Sequence, residues 1–218
     1  MLARPSTREM KITSAFAKHL PRGFYNRDPR QVSRDLLGKV LVRKQENNLL
    51  AARIVEVEAY LGSDDPAAHS YAGKTARNAV LFGPPGYSYV YFIYGNHYCF
   101  NVSCLPDGEA GGVLFRAGEP LAGVEKMARA RKISLHEKRN LRPLTSGPGR
   151  LAEAFGITRD RDNGKDLTRT TSDLWIADDG FRPDRVLITP RIGITKAVKH
   201  ALRYIVAGNE FVSGPRTP

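Results

Sequence analysis

The sequence predicts an α+β domain, and three observations carry that expectation. Short alternating apolar runs and short amphipathic runs are interleaved without the strand–helix–strand rhythm of a parallel sheet. The stretch GYSYVYFIYGNHYCFNV, residues 86–102, alternates rings and apolar side chains around a Gly-Asn pair, as a β-hairpin does. A chain of 218 residues with ordinary composition also fits one domain with a substantial core. Residues 1–20 mix Pro, Ser, Thr, Lys and Arg without periodicity and read as a flexible basic lead-in, with order starting near Phe24 and the domain spanning 21–218.

The elements follow in order. In DPRQVSRDLLGKVLVRK, Asp28 reads as an N-cap and Pro29 as the first helical residue, with Gly38 as the stop and a strand from Lys39. NNLLAARIVEVEAYLG adds a turn and a second strand. Over residues 53–60, a period of two places Val55, Val57 and Ala59 on one face and Glu56, Glu58 and Tyr60 on the other. Asp65-Pro66 reads as a cap and first-turn proline of a short helix carrying His69. In the hairpin, Tyr89, Tyr91 and Ile93 share one side and Val90, Phe92 and Tyr94 the other. Gly95-Asn96 is read as a two-residue turn with Tyr94 beside its tip. EPLAGVEKMARARKISLHEKRN predicts an amphipathic, strongly basic helix over about 126–142, and SGPGRLAEAFGI a Gly/Pro loop opening a short helix. TRDRDNGKDLTRTTSD is a polar loop, and the segment from Asp179 to Gly208 reads as strands and turns.

Composition narrows the chemistry. Thirty-four Lys plus Arg against 22 Asp plus Glu gives a net charge of +12, which points to a polyanionic partner. No run approaches the ~18 apolar residues of a membrane helix, and the basic N-terminus lacks a secretory pattern, so cytoplasm is the expected compartment, without membrane attachment. Cys99 and Cys104 are too few and too close for a disulfide scaffold. With His97 they also lack metal-site spacing, so no metal is expected. GPPGYS and SGPGRL lack the P-loop lysine and the spaced dinucleotide glycines, which argues against a nucleotide cofactor.

Two stretches carry site chemistry. An aromatic ring at a rigid hairpin tip, on a basic protein, has the form of a wedge that unstacks a duplex, whereas cross-strand packing is the ordinary use of the other rings. Two carboxylates and a tyrosine on one strand face, followed by His69, suit a pocket for an extruded purine; a solvated sheet face is the alternative. Two other classes remain open from these residues. Glu56 and Glu58 stand ~6.5–7 Å apart along a strand, near the separation in inverting glycosidases, although the charge opposes a carbohydrate hydrolase. A non-catalytic nucleic-acid-binding module would use the same basic helix and tyrosines.

RIVEVEAYLGSDDPAAHSY, YVYFIYGNHYCFNVS, VLFRAGEP and LTSGPGRL, in that order, resemble the alkyladenine (3-methyladenine) DNA glycosylase family of base-excision repair, from about Gly23 to the C-terminus. The resemblance implies a single mixed α/β domain with a largely antiparallel curved sheet, flanking helices and a protruding hairpin. It also implies hydrolysis of the N-glycosyl bond of alkylated or deaminated purines in duplex DNA, no cofactor, no lysine-dependent strand nicking and a monomer. It makes Glu58 the base that activates water and Arg116 an active-site arginine. Tyr60, His69 and Tyr91 become the base pocket, Asn101 a residue that disfavours normal guanine, and Tyr94 the intercalating wedge. The tip GNH departs from the apolar residues of vertebrate members.

Overall fold

The computed structural model describes residues 15–45, 48–93, 95–135 and 140–214. Residues 1–14 of the expected lead-in, Tyr94 and part of the expected basic helix lie outside the described residues. Two short helices, α1 (Arg22–Tyr25) and α2 (Pro29–Leu36), precede the sheet. As expected, Asp28 caps α2 by accepting from the Arg30 N–H, with Pro29 in the first turn. Phe16 and Leu20 are already buried, so packing begins before Phe24.

The sheet is mixed with helices as expected and its pairings are antiparallel. Its strands are β1 (Val40–Gln45), β2 (Asn48–Tyr60), β3 (Ser88–Ile93), β4 (His97–Cys104), β5 (Gly111–Ala122), β6 (Leu174–Ala177), β7 (Val186–Thr189) and β8 (Arg203–Val206). The order is β3-β4-β5-β2-β1-β6, with β8 joined to β2 and β7 to β8. Helices α3 (Val124–Ala130), α4 (Arg142–Thr145), α5 (Pro148–Ala154) and α6 (Arg159–Asp162) flank it. The main core packs Val32 and Leu36 of α2 and Leu151 of α5 against Val57, Phe100 and Phe115. Fully buried Arg43 pairs with fully buried Asp162 at 2.8 Å, anchoring the polar 158–173 segment to β1.

Four local expectations change. β2 carries an irregularity between Ile54 and Val57. Val57 and Ala59 face the main core while Val55 joins Ile205 and Phe211 in another cluster, because a bulge inserts one residue and shifts the alternation. Ile93 pairs with His97, so the hairpin connection has three residues, 94–96, with Gly95 left-handed at φ 73°. The basic helix stops at Ala130. Lys132 adopts φ 52° while the Ile133 N–H reaches the Ala128 carbonyl and the Lys132 N–H the Arg129 carbonyl, a Schellman closure. Residues 66–69 form turns instead of a helix, although Asp65 makes the expected cap bond, its Oδ1 accepting from the Ala67 N–H at 3.1 Å while Arg191 grips both of its oxygens.

Candidate active site

One row of paired residues crosses five strands. Tyr89 on β3 pairs with Asn101 on β4, Asn101 with Leu114 on β5, Leu114 with Glu58 on β2, and Glu58 with Arg203 on β8. Directly opposed residues point to the same face, so side chains up to 145 positions apart share one surface. Tyr60, two residues beyond Glu58, and Tyr91, two beyond Tyr89, extend that surface.

Two adjoining cavities lie over it. The smaller, about 40 Å³, is lined by Tyr60, His69, Tyr89, Tyr91, Asn101 and Gly112 among others. The larger, about 510 Å³, shares Tyr60 and Tyr91 and adds His97, Arg116, Gly147 and Ile192. In the smaller cavity, His69 packs edge-on to Tyr91 with ring centroids 4.5 Å apart, and its Nδ1 lies 2.9 Å from the Tyr89 hydroxyl. Partial burial of the ring, helped by the Arg77 charge, lowers the His69 pKa below 6.5, so the imidazole is neutral at pH 7. Asn78 fixes this loop by donating to the His69 and Gly73 carbonyls. Asn101 is oriented by its bond to the Tyr89 carbonyl at 3.1 Å. The sequence-predicted residues Tyr60, His69, Tyr91 and Asn101 are therefore brought together; Tyr94 falls outside the described residues.

The two glutamates, both without exposed surface, differ sharply. Glu56 accepts four hydrogen bonds: Arg116 Nε (2.8 Å), Arg203 Nε (2.7 Å), and the Ser213 hydroxyl (2.9 Å) and N–H (2.6 Å). Three of the four fall on Oε1 and one, the Ser213 N–H, on Oε2. Glu58 holds three groups: Ile192 N–H (2.9 Å) and Arg116 Nη1 (3.1 Å) on Oε1, and the Tyr60 hydroxyl (3.0 Å) on Oε2. All three partners line the larger cavity, so Glu58 lies directly behind its wall. Burial first, and then the Glu58 charge, raise the Tyr60 pKa, which keeps that hydroxyl a donor. Arg116 bridges both acids.

A family model for methylpurine-DNA glycosylase matches residues 23–210. The chain belongs to this family. It is thus a DNA glycosylase, a DNA-repair hydrolase of N-glycosyl bonds whose substrate is DNA, which removes the carbohydrate-hydrolase and non-catalytic alternatives. A protein of Koribacter versatilis is 68% identical over 197 residues, covering 90% of this chain and 94% of its own. One from Burkholderia lata is 48% identical over 199 residues (91% and 92%), and one from Methanocella arvoryzae 45% over 185 residues (84% and 88%). All three bear 3-methyladenine DNA glycosylase in their names. Sequence reading missed Arg203, Ser213, Ile192, Asn78 and Arg191. None sits in a recognisable motif: the antiparallel return of β8 and the turns around it bring in Arg203, Ser213, Ile192 and Arg191, whereas Asn78 acts within its own loop through the His69 and Gly73 carbonyls.

Among the described residues, no helix is long and apolar enough to cross a membrane.

Proposed function

We propose that this glycosylase extrudes an alkylated or deaminated purine from duplex DNA, holds it among Tyr60, His69 and Tyr91, and hydrolyses its N-glycosyl bond with water activated by Glu58. The observation that carries the assignment is the contrast between the acids: Glu56 is held by four hydrogen bonds, one of them from Arg203, which lines neither cavity, whereas every group that holds Glu58 lines the larger cavity. A base in the stack cannot be reached, and eversion costs a few kcal/mol, less for a damaged or mispaired base. Tyr94 fills the gap left in the duplex. The sugar becomes oxocarbenium-like as the bond breaks, and a carboxylate both takes the proton of the attacking water and offsets that positive charge. Arg116 orients Glu58 through its Nη1, 3.1 Å from Oε1.

The leaving group sets the selectivity. N-alkylated purines are already cationic and depart readily, whereas hypoxanthine depends on a hydrogen bond to the base. A neutral His69 accepts a cationic purine against its ring without charge repulsion. Asn101, held in the lining of the smaller cavity by the Tyr89 carbonyl, disfavours the exocyclic amino group of normal guanine. Water rather than an amine is the nucleophile, so the product is an abasic site without strand nicking, and the enzyme works as a monomer. A panel of duplexes, each with one defined damaged purine, tests the reading through liberated base. Glu58→Gln is expected to bind these duplexes and release nothing; turnover within tenfold of the native chain would remove Glu58 from the mechanism.

A further inference from the structure

The two walls of the small cavity are tied together by one buried ion pair that lines neither cavity. Arg191 follows β7, and both its side chain and that of Asp65 are fully buried. Its Nη1 and Nη2 grip the two Asp65 oxygens at 2.5 and 2.7 Å, a two-pronged pair, and Nη1 also reaches the Ala59 carbonyl at 3.0 Å. Its guanidinium carbon lies 4.5 Å from the centre of the Tyr60 ring. Because Arg191 is absent from the lining of both cavities, it backs the ring rather than facing the space where a base would sit. Asp65 in turn accepts from the Leu61 N–H (3.3 Å) and the Ala67 N–H (3.1 Å), shaping the turn that delivers Ala68 and His69 to the opposite wall. The next residue, Ile192, holds Glu58 through its N–H at 2.9 Å.

We infer that Arg191 is a positioning residue: through Asp65 and Tyr60 it sets the spacing of the Tyr60 and His69 walls relative to Glu58, and so tunes selectivity between cationic and neutral purine lesions. The inference rests on the function proposed above. Arginine suits the task where lysine does not. A planar fork can serve both Asp65 oxygens and the Ala59 carbonyl while lying against a ring, whereas an ammonium is a point charge on a flexible stem. A neutral lesion such as hypoxanthine leaves only when the walls place its hydrogen bonds, so it is sensitive to wall spacing. A cationic alkylpurine carries its own activation and tolerates a looser slot. The pair is therefore expected to matter far more for one lesion class than for the other.

Arg191→Lys, which keeps the buried charge balanced, and Asp65→Glu, which moves the fork by one methylene, test this in the full chain. Single-turnover release of hypoxanthine and of 7-methylguanine from otherwise identical duplexes is measured at saturating enzyme, alongside the melting temperature. The expected result is that at least one variant melts as a folded protein and loses hypoxanthine release at least tenfold more than 7-methylguanine release. An unchanged ratio, or a parallel fall in both rates that follows the melting temperature, overturns the inference and leaves Arg191 a stabilising residue. The native chain separates the two claims: failure to release either base would instead refute the glycosylase reading of this site.

Discussion

Exchange of each buried glutamate for glutamine should separate stability from chemistry. In Glu56→Gln the carboxylate that gathers Arg116, Arg203 and Ser213 becomes neutral, and two guanidiniums at most 8% exposed lose their shared counter-charge. Removing one partner of a buried ion pair costs about 3–5 kcal/mol. For a chain of this size, that is a fall in Tm of roughly 6–20 °C. Glu58→Gln is milder. Its amide oxygen still accepts from Ile192 and Arg116, and its amide nitrogen can donate to the Tyr60 hydroxyl, so the loss is about 1–2 kcal/mol, or roughly 2–8 °C. Base release should rank in the opposite order. Loss of a general base lowers the chemical rate by about 10²–10⁴-fold. Folded Glu56→Gln, assayed well below its melting point, should release damaged purine within about tenfold of the native rate, a span of 1.4 kcal/mol in the barrier. The assay is scanning calorimetry paired with single-turnover base release. If Glu56→Gln melts like the native chain, the description of Glu56 as a structural hub is wrong; if it is also the variant that stops base release, the roles of the two acids are reversed.

Three further outcomes follow from the same geometry. His69 holds its proton less tightly when folded than when unfolded, so its contribution to stability is complete above pH 6.5 and is lost as the pH falls below that value. Duplexes with a cationic lesion should bind more weakly over the same fall, and His69→Gln should abolish that part of the pH dependence in a fluorescence binding titration. Affinity for DNA should drop steeply with salt, by a slope of about 0.9 per phosphate neutralised, and replacing exposed Lys196 and Lys199 together should reduce the slope by about 2, whereas a flat response argues against a phosphate-tracking surface. Tyr94→Ala should weaken lesion capture at least tenfold without changing release from single-stranded substrate, and unchanged duplex affinity would make Tyr94 a packing residue.

Local features were legible and long-range ones were not. The Asp28 cap and its proline are set within three residues, and the split between Tyr89/Tyr91 and Val90/Phe92 follows from a period of two that no distant contact disturbs. The shared face of Glu58 and Tyr60 was readable for the same reason. Burial of the glutamates was not, because the partners that make it tolerable for Glu56 lie 60, 147 and 157 positions away. The bulge at Val55 arises where β2 is paired on one side with β5 and on the other with β8, a constraint absent from the strand's own sequence. Asp65 was legible only in part. Its carboxylate makes the local cap bond to the Ala67 N–H, but it also binds an arginine 126 positions away, which no local pattern announces.

At residues 56–58 the strand bearing the acids is hydrogen-bonded to neighbours on both edges. Amides in such a segment exchange with solvent only when the whole domain opens, so Glu58 belongs to the slowest-opening part of the molecule. The carboxylate cannot swing out to meet its target. In the mechanism proposed above every ångström of approach is therefore covered by the nucleotide, and discrimination is exercised on how willingly a given nucleotide makes that journey.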